Sequence, residues 1–213
     1  MFKDHNPVIN EFAQKNWRNF MDTVMMVSLS IKTPFHTIDK QMLDYRLHGL
    51  DSKYVWGFKR DTLKYLLEYG EELYDDLMEL WTTPKKELGG TADSKDAAMM
   101  MRLMQVPGLG MVKAGFVMQL VFGRVGCMDV HNTRRFYKVD MKSISLSAGV
   151  KKDSTKFKKI VNYVQLCKNN RSTEKLWDSW CEQLVWKPCN RGRFADGNAV
   201  SKLHVTALGI TAW

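Results

Sequence analysis

Two features of one short stretch can do chemistry. The first is the turn Pro107-Gly108-Leu109-Gly110, set between a helical run ending near Met104 and another over Met111–Val121. Both glycines are expected to allow φ > 0 and the close approach of another backbone. The turn's amides and the N-terminus of the second helix then converge, an arrangement that holds a phosphate without side-chain charge. Pro-Gly-x-Gly also serves as a plain helix–helix connection. The second feature is Asp129, which directly precedes a helix expected over Val130–Val139. An aspartate there caps the helix, and ionised it also stabilises positive charge that develops beside it. Lys113 lies in the first turn of the second helix, and Cys127 two residues before the aspartate.

The elements that must position these groups read as helices. Trp17, Phe20, Met21, Val24 and Met25 repeat at helical spacing, and so do Leu63, Leu66, Leu67, Leu73, Leu77, Leu80 and Trp81. Asp61 is the expected cap of the second run, and Pro84 its end. Further helices are expected over Asp39–Leu47, Lys95–Met104, Ser154–Lys168 and Thr173–Trp186, with a loop over Glu87–Ser94. No turn signal joins two strand-like runs, so the fold class is all-α. Pro188–Trp213 carries little pattern, and the fourteen methionines read as adaptable core filler.

Composition excludes several classes. The 213 residues are 45% hydrophobic, enough for a packed core of one domain or two small lobes. No apolar run approaches the ~18 residues of a membrane span, and the first residues lack the layout of a secretory signal. Cys127, Cys167, Cys181 and Cys189 form no CxxC pair, so reduced thiols in a cytoplasmic protein without a metal site are expected. The net charge of +9 favours a polyanionic partner, nucleic acid or an anionic membrane surface, without identifying either. Lys151, Lys152, Lys156, Lys158, Lys159, Arg191 and Arg193 are the cationic residues expected around it. If that partner is a nucleic acid, affinity resting on such contacts falls steeply with salt.

Val106-Pro-Gly-Leu-Gly-Met-Val-Lys-Ala114, then Phe122-Gly123, then Met128-Asp-Val-His-Asn-Thr-Arg134 follow one another in a specific order. In that order they resemble the helix-hairpin-helix (HhH-GPD, endonuclease III-like) DNA glycosylase superfamily, whose members read L-P-G-V-G-x-K-x-A, F-G and V-D-x-H-x-x-R. The close match covers roughly residues 104–135, and the loop before Asp129 is one residue shorter than in typical members. The resemblance implies two helical lobes flanking a DNA cleft, one over residues 21–125 and the other from 1–20 plus 126–213. It implies that Asp129 is the catalytic carboxylate, because breaking an N-glycosidic bond builds positive charge on the deoxyribose. His131 and Arg134 become supporting residues, and Pro107, Gly108, Leu109, Gly110 and Val112 contact DNA. It also admits a monovalent cation at the hairpin carbonyls.

The departures refine the expectation. Members that also cut the strand carry an amine nucleophile two residues after the second hairpin glycine. Val112 stands there, and Lys113 is rotated by about 100° from it on a helix. An ungapped register therefore implies a monofunctional glycosylase in which Asp129 assists water. A shifted register would bring Lys113 into the pocket as a catalytic amine. The widely spaced cysteines imply no iron–sulfur cluster and no other cofactor. Val27-Ser-Leu-Ser-Ile-Lys-Thr33 corresponds to the family's L-S-A-Q-A-T-D junction, with Ser30 in place of the residue that fills the vacancy of a flipped base. Ile31 or Lys32 shares that task, and Trp56 or Tyr54 is the expected stacking aromatic. The expected protein is a monomeric, nucleoid-associated or virus-encoded glycosylase of double-stranded DNA, acting on a damaged, mismatched or modified base. The alternatives are a related protein of DNA binding or thymine hypermodification without base excision, and a non-catalytic hairpin module.

Overall fold

The computed structural model describes residues 6–84, 91–129, 132–133, 146, 153–170 and 173–210. Among them the chain is helical throughout, without strands. Its helices are α1 (Asn6–Gln14), α2 (Trp17–Leu29), α3 (Ile38–His48), α4 (Phe58–Thr82), α5 (Ala92–Leu103), α6 (Met111–Phe122), α7 (Asp153–Asn170), α8 (Thr173–Trp186) and α9 (Gly197–Ala207). None of the described helices is long and apolar enough to cross a membrane.

α2 and α6 form the centre. Phe20, Val24, Met25, Met26, Val27 and Leu29 of α2 are buried, and α2 packs against α1, α3, α4 and α6. Ten of the twelve residues of α6 are buried, as expected of a helix that is apolar on all sides. It stops at Gly123, in the left-handed conformation at φ 63°. α5 bridges α4, α6 and α7, while α8 packs on α9 and α9 on α3. Met25, Met26, Met42, Met99, Met100 and Met118 are buried core residues, as their spacing suggests. At the junction of α5, α6 and α7, buried Asp96 binds Arg124 Nη2 at 2.9 Å and Lys168 Nζ at 2.6 Å.

Several boundaries differ from the sequence reading. α4 begins at Gly57 without a side-chain cap, and Asp61 lies inside its first turn instead of capping it. α5 begins earlier than expected, capped by Thr91, whose hydroxyl accepts the Ser94 N–H. Pro188–Trp213 contains a whole helix, α9, capped by Asp196 through the Ala199 N–H at 2.9 Å. The helix expected over Val130–Val139 lies mostly outside the described residues.

Lys59 is fully buried, and its Nζ donates to Leu29 O at the end of α2, 3.0 Å away. Burial lowers its pKa from 10.5 to about 8. Below that pH both folded and unfolded chains carry the ammonium, and the folded one bears its full desolvation cost. Between about 8 and about 10.5 the folded chain releases the proton first, so stability gains as pH rises. Across that window the unfolding midpoint of Lys59→Met should therefore fall progressively behind the parent's, because the variant lacks this gain, while buried Cys127 and Tyr163, whose pKa values burial raises, pull both chains the other way. An unchanged pH slope in the variant refutes this assignment.

Candidate active site

Asp129 is positioned by an irregular segment, Val125–Met128, wedged among α6, α7 and α8. Gly126, at φ 154°, lies so close to α8 that a Cβ there would meet Leu176 Cδ1 at 2.6 Å. A Cβ at Gly115 of α6 would meet Gly126 O at 2.7 Å. The segment's backbone groups are satisfied by buried side chains, as groups removed from water require. The Tyr163 hydroxyl of α7 donates to Gly126 O at 2.8 Å and accepts the Met128 N–H at 3.0 Å. Gln119 Oε1 accepts the Cys127 N–H at 3.2 Å, and Asn132 Nδ2 donates to Cys127 O at 2.8 Å. Ser179 of α8 in turn donates to Asn132 Oδ1 at 2.9 Å.

Asp129 ends this segment half-buried and does act as a cap. Its Oδ1 accepts the Asn132 N–H at 3.0 Å, and its carbonyl accepts the Thr133 N–H at 2.9 Å. Its side chain also lines a cavity of about 400 Å³ together with Lys113, Ser30, Lys32, Phe35, Trp180 and Lys187. That volume is within the ~300–1,000 Å³ of ligand pockets. The walls come from four separate parts of the chain: the end of α2 with the loop after it, the first turn of α6, Asp129, and the end of α8 with the residues that follow it.

The cavity contains both residues marked from sequence as catalytic and both marked at the α2 junction. Val112 packs half-buried against the core, whereas Lys113 lines the cavity, its Nζ 5.6 Å from the centroid of the buried Phe116 ring. The expected stacking aromatics are also replaced. Phe35 and Trp180 line the cavity, their rings 5.3 Å apart and edge-on, while Trp56 and Tyr54 do not. Cys127 is buried beneath the site rather than lining it, and Cys189 lines it instead. Burial pushes the Cys127 thiol up to about 12, with the charges of Lys113 and Lys187 pulling the other way.

At the α2 junction, Ser30 turns its hydroxyl back to Val27 O at 2.7 Å, and Thr33 Oγ1 donates to Leu29 O at 2.5 Å. Lys32 has φ 58°, a left-handed conformation that costs a non-glycine residue ~1–2 kcal/mol. Among the hairpin residues only Gly108 needs φ > 0. It stands at φ 82° with Phe58 Cδ2 2.6 Å from where a Cβ would sit. Gly110 has ordinary φ −76° and open space around it, correcting the expectation of two left-handed glycines. Thr62 Oγ1 fixes the turn by donating to Pro107 O at 2.6 Å. Leu109 is buried and its N–H is bonded to Val106 O, so its side chain anchors the turn from within. Gly110 offers α6 no side-chain cap, and its carbonyl accepts the N–H groups of Lys113 and Ala114, each at 2.9 Å.

His131, Arg134, Lys151 and Lys152 lie outside the described residues. Lys156 pairs with Asp153 at 3.1 Å. Sequence reading missed Tyr163, Gln119, Asn132 and Lys187. Gln119 alone carried a local signal, as a polar residue inside the apolar run Phe116–Phe122. No protein-family model matches the chain, and no curated protein or solved structure matches it either.

Proposed function

We propose that this chain is a DNA base-excision glycosylase, acting on a base flipped from double-stranded DNA into the Asp129 cavity. The observation that carries the reading is the convergence of Asp129, Lys113, Ser30 and Lys32, far apart in sequence, on one cavity. The ionised Asp129 stabilises the positive charge that grows on the deoxyribose as the base leaves, and orients the attacking water. The turn at Pro107–Gly110 and the first turn of α6 act as the hairpin of a helix-hairpin-helix, their N–H groups gripping a backbone phosphate. An extruded base leaves a gap in the stack, and the junction Ser30–Lys32 fills it.

The presence of Lys113 in the cavity favours a second reading, in which its amine replaces water as nucleophile. The Nζ–C1′ bond then forms as the base departs with the bonding electron pair and takes up a proton. Loss of the amine proton and opening of the sugar give an imine, which borohydride reduces to a stable adduct.

One experiment separates the readings. Duplexes carrying a panel of modified bases are incubated with the chain, then split between alkali treatment and borohydride. Alkali-sensitive sites without trapped protein support water as nucleophile. A trapped adduct that disappears in Lys113→Ala supports the amine. No abasic product on any duplex refutes the glycosylase and leaves binding or hypermodification without base excision.

A further inference from the structure

Among the described residues, the charge that lines the Asp129 cavity is uneven. Lys32, Lys113 and Lys187 stand there with Asp129, a local excess of two positive charges (3 − 1). No described carboxylate lies within ion-pair distance of any of these three lysines. Lys113 stands in the first turn of α6, where the partial positive charge of the helix end repels it, and that turn holds no acidic residue. Lys32 is presented from a strained left-handed residue, and such strain persists only where the surroundings over-determine it. Here the surroundings are the three hydrogen bonds that tie down the end of α2, from Ser30, Thr33 and Lys59.

We propose that the cavity takes a base bearing an anionic substituent, a carboxylate or phosphate-type group on the ring. This rests on the glycosylase reading and names its substrate class. The aromatic walls of Phe35 and Trp180 suit the ring, and the ammonium groups suit the substituent with charge-assisted hydrogen bonds. A neutral base leaves the amines uncompensated in a partly enclosed site, so the cavity discriminates by charge as well as shape. A backbone phosphate is the other source of anionic oxygen. Lys113 and Lys187 are half-buried in the same walls as Asp129 and the aromatic rings.

The test uses free bases, which carry no backbone phosphate. The whole chain is titrated calorimetrically with 5-carboxyuracil and with its neutral isostere 5-carbamoyluracil. The carboxylate should bind at least about tenfold tighter, and Lys187→Met should remove most of that preference. Equal affinities, binding of neither base at millimolar concentration, or a preference untouched in Lys187→Met each overturn the proposal. If the lysines serve backbone phosphates, Lys187→Met weakens binding to every duplex equally and leaves free-base binding unchanged, which also overturns it. The failure of the enzyme reading has a separate signature: no abasic product from duplexes carrying these bases, whatever the titration shows.

Discussion

Asp129→Asn should lower base release by about 10³-fold while fold and duplex affinity stay those of the parent chain. The asparagine keeps an oxygen where Oδ1 accepts the Asn132 N–H, so it preserves the cap. It removes only the negative charge, which matters most when the sugar becomes cationic. Asp129→Ala removes cap and charge together and should add about 1 kcal/mol of lost stability. The pair of variants separates the two roles of this side chain. A purely structural aspartate predicts a silent Asn variant and a destabilised Ala variant. A catalytic one predicts equal loss of activity in both, with stability lost in the second alone. The measurements are single-turnover base release, thermal melting and duplex binding on the same preparations.

Tyr163→Phe should cost about 2–4 kcal/mol of stability and lower base release more than tenfold at unchanged duplex affinity. The tyrosine is fully buried, and its hydroxyl serves Gly126 O and the Met128 N–H at once. Removing it leaves a buried acceptor and a buried donor without their partner, each worth ~1–3 kcal/mol. Burial also pushes its phenol well above the ordinary value, so the hydroxyl stays protonated and able to donate. Its influence on chemistry is through position, because the segment it clamps ends at Asp129. Gly115 and Gly126 allow no slack on either side, so relaxation of this segment moves the carboxylate. Denaturant melts give the stability loss, and the split between kcat and duplex binding gives the positional effect. A Phe variant with parental stability and rate would show that the clamp does not fix the site.

What could be read in the residues themselves follows the range of the interactions. Helical periodicity and caps are local, so α2, α3, α6, α7 and α8 stand close to where spacing places them. α9 was missed because its pattern, Val200, His204 and Ala207, becomes apolar only against α3 and α8. Asp129, Lys113, Ser30 and Lys32 were chosen through the resemblance to the helix-hairpin-helix glycosylases, whose motifs are contiguous stretches of chain. The aromatic walls were misjudged for the opposite reason: exposed Trp56 and buried Trp180 look alike in a sequence.

By itself, then, the sequence determined the helical class, the sharp turn at Pro107–Gly110 and the candidacy of a carboxylate at 129. The first two depend on neighbours within a few residues, and the third on motifs that follow one another in order along residues 106–134. Tertiary structure alone decided that Lys113 rather than Val112 lines the cavity, that Lys187 joins it, and that Tyr163, Gln119 and Asn132 hold the segment before Asp129. Those outcomes depend on how α6, α7 and α8 pack. Packing compares surfaces brought together from distant parts of the chain, which no local pattern records.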